Sequence, residues 1–96
     1  MTSHHSPLTI QRPLLVPHAR YRWDPLRCQH QLVFPEGILV LNETGAAIVR
    51  LCDGRSLTEL LAALAQQFPD AALGGDVRDF LDRLARKGLL CEAPDG

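Results

Sequence analysis

The stretch that most constrains the fold runs from Leu32 to Gly45 and reads LVFPEGILVLNETG. It changes the period of the chain. Leu32-Val33-Phe34 and Ile38-Leu39-Val40-Leu41 are short, continuously apolar runs, and the Pro35-Glu36-Gly37 between them is turn chemistry, with Gly37 free to take positive φ. The spacing predicts an antiparallel hairpin. Immediately after it, Asn42 can accept a bond from the orphan N–H groups of a first helical turn, and Glu43 suits the positive end of a helix dipole. Gly45, Ile48, Val49 and Cys52 then recur at helical spacing and form one apolar stripe.

Around this pivot the remaining elements fall into place. Tyr21-Arg22-Trp23-Asp24 alternates aromatic and charged residues, as a half-buried strand does, and Pro25 ends it. Cys28–Phe34 is a second strand and Ile38–Leu41 the third. Residues 1–17, with Pro7, Pro13, Pro17 and the pair His4-His5, are expected to be a flexible arm. Within it Gln11–His18 is extended and able to lie against the body through Leu14, Leu15 and Val16. The folded domain is expected over 18–92. Downstream, Asp53-Gly54 stops the first helix, with Gly54 suited to the left-handed C′ position. The capping box Ser56-Leu57-Thr58-Glu59 opens a second helix, which buries Leu57, Leu60, Leu61, Leu64 and Phe68 before Pro69 ends it. Ala71–Gly75 reads as a loop. Asp76 caps a third helix that turns Val77, Phe80, Leu81 and Leu84 inward, and Gly88 closes it. Leu89-Leu90-Cys91 is a brief strand, and Ala93–Gly96 is expected to fray. The expectation is an α+β domain, a three-stranded antiparallel sheet followed by three helices, resembling a winged helix-turn-helix.

Composition narrows the functions. Ninety-six residues make one domain, and a net charge of −1 with pI near 6.4 argues against a protein whose main task is holding phosphate backbones. No apolar run approaches the roughly 20 residues of a bilayer span, and the N-terminus lacks a secretory layout, so a cytoplasmic location without membrane contact is expected. Three cysteines without a CxxC suit free thiols in a reducing compartment.

Catalytic signals are missing. There is no GxSxG, HExxH or glycine-rich phosphate loop, and Cys28-Gln29-His30 supplies only one weak pair of metal ligands where a structural site wants four. Cys52 and Cys91 read as small core residues. Asp76, Asp79 and Asp82, three apart, trace a solvated helix face. No enzyme activity, metal or cofactor is therefore expected. DNA binding is the alternative, since the third helix carries Arg78, Arg83, Arg86 and Lys87. The three aspartates nearly cancel that charge, and Asp79–Arg83 and Asp82–Arg86 pairs account for it. A binding module is the other reading. An extended peptide could add to the edge strand Ile38–Leu41, or the chain's own N-terminal segment or a second copy could cover that edge. A homodimer is consistent with the last option.

One set of motifs is recognisable. Arg20-Tyr21-Arg22-Trp23-Asp24, the Leu32–Gly37 hairpin, Leu41-Asn42, Ile48–Gly54, Asp76-Val77 with Phe80-Leu81, and Gly88-Leu89-Leu90 together resemble the PqqD family of pyrroloquinoline quinone biosynthesis. The likeness runs from about Pro13 to Cys91. It implies a non-catalytic peptide chaperone without cofactor, the type member of the RiPP recognition elements, which bind the leaders of ribosomal precursor peptides between the third strand and third helix. It further implies that such a protein holds the precursor PqqA and delivers it to PqqE, a radical S-adenosylmethionine enzyme. Carried over by position, the peptide site is expected at Ile38, Leu39, Val40, Leu41, Phe80, Arg83, Leu84 and Lys87, with no nucleic acid as partner. Which set of alternate strand residues faces the peptide stays open at this point.

Overall fold

A computed structural model describes residues 10–69 and 74–94. Its order is β1 (Pro13–Leu15), β2 (Arg20–Asp24), β3 (Gln29–Phe34), β4 (Gly37–Leu41), α1 (Glu43–Leu51), α2 (Leu57–Gln67), α3 (Gly74–Arg86) and β5 (Leu90–Glu92). Strands β2, β3 and β4 form an antiparallel meander in that spatial order, while β1 and β5 pair as a separate two-stranded ribbon.

The meander follows from its turns. Phe34 pairs with Gly37 across the two-residue loop Pro35-Glu36, and Gly37 sits at φ +157, a value L side chains rarely adopt. One face of the sheet carries Leu32 and Leu41, both buried, with Tyr21, Phe34 and Leu39 half-buried beside them against the helices. Ile48, Val49 and Cys52 of the α1 stripe, Leu60 and Leu64 of α2, and Val77, Leu81 and Leu84 of α3 complete that core.

The helix ends behave as capping chemistry dictates. The Asn42 side chain accepts from the Gly45 N–H at 2.7 Å, and Ser56 and Glu59 close a reciprocal capping box. Gly88, at φ +75, lets the Leu89 N–H reach the Leu84 carbonyl and its own N–H reach Ala85, a Schellman closure of α3.

Four expectations are corrected. The flexible arm expected over 1–17 does not extend to 10–17, where the segment lies extended against the body, as the reading of Gln11–His18 allowed: β1 pairs with β5, Val16 N–H donates to Leu89, and Gly54 N–H donates to Pro13. Residues 1–9, including His4-His5, lie outside the described residues, as do 70–73 of the expected loop. Helix α3 starts at Gly74, so Asp76 sits in its first turn instead of capping it. Cys52 is the C-cap of α1, and Gly54, at φ +97, lies one residue beyond the expected C′ position. Ala93 is buried and donates its N–H to Arg12 at 2.9 Å, held there because the Glu92 carboxylate takes the Gln11 and Arg12 N–H groups.

Candidate functional site

Strand β4 is an edge, and its two sets of residues do different things. Leu39 and Leu41 turn toward the helices, half-buried and buried, whereas Ile38 is 55% and Val40 57% exposed on the outer face. Main-chain directions follow from the hairpin. The loop-closing pair Phe34–Gly37 must exchange its own bonds, so by antiparallel alternation Leu39 and Leu41 bond to β3. The N–H and C=O groups of Ile38 and Val40 then point to the open edge. By the same alternation Tyr21 and Trp23 present theirs at the opposite edge, on β2. Among the described residues nothing pairs with β4 from outside, and Pro13–Leu15 of the N-terminal segment pair with β5 instead.

Beside that edge lies a groove of about 190 Å³ lined by Leu39, Val40, Leu41, Asn42, Phe80 and Arg83. Gly45 permits it to form. A Cβ there would stand 3.1 Å from the Asn42 carboxamide oxygen and 3.5 Å from Phe80 Cζ, so glycine lets the α1 cap and the α3 ring approach one another. The Arg83 guanidinium lies 5.9 Å from the centroid of the Phe80 ring, within cation–π range. The groove therefore has an apolar floor, a cation at its rim and unsatisfied main-chain groups along one side. It can take an extended chain by strand addition.

Of the expected site residues, Leu39, Val40, Leu41, Phe80 and Arg83 come together here. Ile38 stands nearer the turn on the outer face. Leu84 is only 1% exposed and belongs to the core, and Lys87 is exposed just past the end of α3. Asn42 was overlooked as a groove residue, although its place between strand and helix makes it both cap and wall.

A second cavity, of about 310 Å³, opens between β3, α1 and the end of α2, with His30, Glu43, Arg50 and Phe68 among its walls. The His30 ring is engaged at both nitrogens, Nδ1 at 2.8 Å from the Tyr21 hydroxyl and Nε2 at 3.1 Å from the Glu43 carboxylate. Arg50 lies over Tyr21, 5.4 Å from its ring centroid. Nothing local in the sequence announces this network.

The cysteines have structural surroundings. Cys28 is exposed in the β2–β3 turn and its Sγ donates to the Pro25 carbonyl. Burial, with the Asp53 charge adding to it, pushes the Cys52 thiol up to about 12, and its Sγ donates to the Ile48 carbonyl. Among the described residues no three of His, Cys, Asp and Glu gather as a metal site requires. Among them, too, no helix is long and apolar enough to cross a membrane.

The comparisons with known proteins meet this geometry. The sequence profile of the family described as coenzyme PQQ synthesis protein D (PqqD) matches residues 29–90, from the start of β3 to the start of β5. The chain belongs to the PqqD family. Within that family it is 37% identical over 79 residues to the "PqqA binding protein" of Kluyvera intermedia, covering 79% of this chain and 86% of the relative. It is likewise 37% identical over 97 residues to that of Rhodopseudomonas palustris, covering 97% and 95%. The solution NMR structure of the PqqD truncation of Methylobacterium extorquens PqqCD superposes with a TM-score of 0.63 at 28% identity, covering 83% of this chain and 88% of that one. That PqqD structure represents a functional, stand-alone RiPP recognition element. The three-stranded meander and the three helices of this chain match it.

Proposed function

We propose that this protein is a non-catalytic peptide chaperone of pyrroloquinoline quinone biosynthesis, holding PqqA as an added strand on the β4 edge. The observation that carries the reading is the β4 edge itself, which none of the described residues covers. Ile38 and Val40 offer main-chain groups to it, and Leu39, Leu41, Phe80 and Arg83 wall the groove into which alternate peptide side chains enter. Family relatives named for PqqA binding support the choice of peptide. The bound precursor is then presented, in the cytoplasm where a ribosomal peptide is made, to the radical enzyme PqqE. The same edge in a second copy would compete with the peptide, so any homodimer formed there is dispersed by PqqA.

DNA binding has less to support it. Arg86 of α3 is held by Asp82 at 3.0 Å, and Arg83 is turned to the groove. Titration of synthetic PqqA into isotopically labelled protein tests the proposal. Amide signals are expected to move chiefly in 38–42 and 76–87. Shifts confined elsewhere, or none at micromolar peptide, would sink it.

A further inference from the structure

The β2–β3 turn is built to display one leucine. Leu26 is 93% exposed, more than any other large apolar side chain described. It does not hang from a loose loop. Asp24, only 4% exposed, turns its carboxylate into the turn and accepts from the Leu26 N–H at 3.0 Å, the Arg27 N–H at 3.4 Å and Arg27 Nη1 at 3.3 Å. Gln31 Nε2 adds a further bond at 3.2 Å, and Pro25 fixes its own φ. Cys28, at φ +52, is held left-handed although it is not glycine, a strained conformation that persists only where its surroundings enforce it. The sequence alternation predicted a buried aromatic face here, yet Trp23 is 47% exposed, set edge-on to His30 with ring centroids 4.9 Å apart.

The exposed charges at the turn itself are cationic, with the exposed Glu43 carboxylate farther off, beyond His30. Arg27 is 71% exposed although paired with Asp24, and Arg22 projects from β2 two residues before the turn without an ion-pair partner among the described residues. The nearest acid, Asp24, is consumed inside the turn. An apolar knob flanked by two cations fits an apolar pocket with carboxylates on its rim. A phosphate backbone would use the arginines but would gain nothing from Leu26 and Trp23, so a protein surface fits better than a nucleic acid.

Position supplies the rest. Trp23, His30 and Leu41 form one row across the sheet, so Trp23, at the base of the tip, stands two strand spacings, about 10 Å, from Leu41 of the groove, and the tip lies at the same end of the sheet. A protein gripping the tip leaves the β4 edge clear and lies within reach of a peptide bound there.

We propose that Leu26, Trp23, Arg22 and Arg27 dock an acid-rimmed apolar pocket on the enzyme that modifies the bound peptide. This rests on the delivery reading above, and the test separates the two. Leu26→Glu and Arg22→Glu change exposed side chains, and because the Arg22 charge also favours the Asp24 carboxylate, melting curves are taken to show that the turn's main-chain bonds stay in place. Labelled PqqA binds both variants within about twofold of wild type, whereas peptide-loaded Leu26→Glu binds PqqE at least about tenfold more weakly than wild type does. Arg22→Glu chiefly slows association and flattens its salt dependence. PqqE affinity unchanged in Leu26→Glu overturns the surface while leaving delivery intact. Wild-type protein that fails to bind PqqE overturns both. Saturable binding of duplex DNA that Arg22→Glu abolishes and Leu26→Glu leaves untouched overturns it in favour of a nucleic acid.

Discussion

Val40→Pro is the perturbation that reads the β4 edge most sharply, because it deletes one donor that the protein itself does not use. Alternation from the Phe34–Gly37 pair directs the Val40 N–H outward, so the Leu32–Leu39 and His30–Leu41 pairs of the ladder survive the change. Val40 is 57% exposed, and little burial is lost with its side chain. Proline is tolerated on an edge strand whose N–H faces solvent, and the cost to the fold should stay within about 1 kcal/mol, or about 4–8 °C in Tm for a domain this small. Binding should suffer more. One lost hydrogen bond is worth about 0.5–1.5 kcal/mol net, and a peptide carbonyl left facing the ring adds about 1–3 kcal/mol. Taking about 2–3 kcal/mol in all, affinity for PqqA falls about 30- to 150-fold. Fluorescence anisotropy with labelled PqqA measures this, with Val40→Ala as the control that keeps the donor. A Val40→Pro protein that melts as expected yet binds PqqA within about threefold of wild type would refute strand addition at this position.

The groove's cation gives a second outcome. Arg83→Glu should weaken PqqA binding by about 2- to 5-fold, an exposed charge contributing at most about 1 kcal/mol, and leave Tm within about a degree. Titrations at low and high salt check it, with the wild-type salt dependence lost in the variant. Gly88→Ala should lower Tm by several degrees without touching PqqA affinity, since a left-handed non-glycine residue costs about 1–2 kcal/mol. Asp24 makes the stability of the turn depend on acid. Burial alone would raise its pKa, but the bonds from the Arg27 and Leu26 main chain, the Arg27 side chain and the Arg22 charge outweigh that and hold it below the ordinary 3.8. A lowered folded-state value means stability that is present above pH 3.8 and lost as pH falls through the folded value. Melting curves from pH 6 downward should therefore show wild-type Tm falling more steeply than that of Asp24→Asn.

Local chemistry made much of this legible beforehand. The Pro35-Glu36 turn, the Asn42 cap and the Ser56–Glu59 box each depend on residues within four positions of one another, and each stands where the sequence puts it. The β1–β5 ribbon was missed for the opposite reason. It joins three-residue strands near the two ends of the chain, and segments that short carry no period to read. Gly74-Gly75 disguised the first turn of α3, because glycine is a poor helix former and its helical state here is set by the apolar stripe of Val77, Leu81 and Leu84. The two faces of β4 could not be told apart because Ile38, Leu39, Val40 and Leu41 are all apolar. Only the register set by the turn and the packing of Leu41 against α1 distinguish them. Leu84 was expected at the groove because the family resemblance puts the site on the third helix, although its helix spacing already turned it inward, and it lies in the core.

Residue-resolved amide exchange, with and without saturating PqqA, tests strand addition most directly. On binding, the Ile38 and Val40 amides should slow by at least about tenfold, as groups newly closed in a ladder do. Leu39 and Leu41, already bonded to β3, and Tyr21 and Trp23, at the β2 edge, should change little. Protection that appears at Tyr21 and Trp23 instead, or peptide binding that leaves Ile38 and Val40 exchanging as before, would contradict the account.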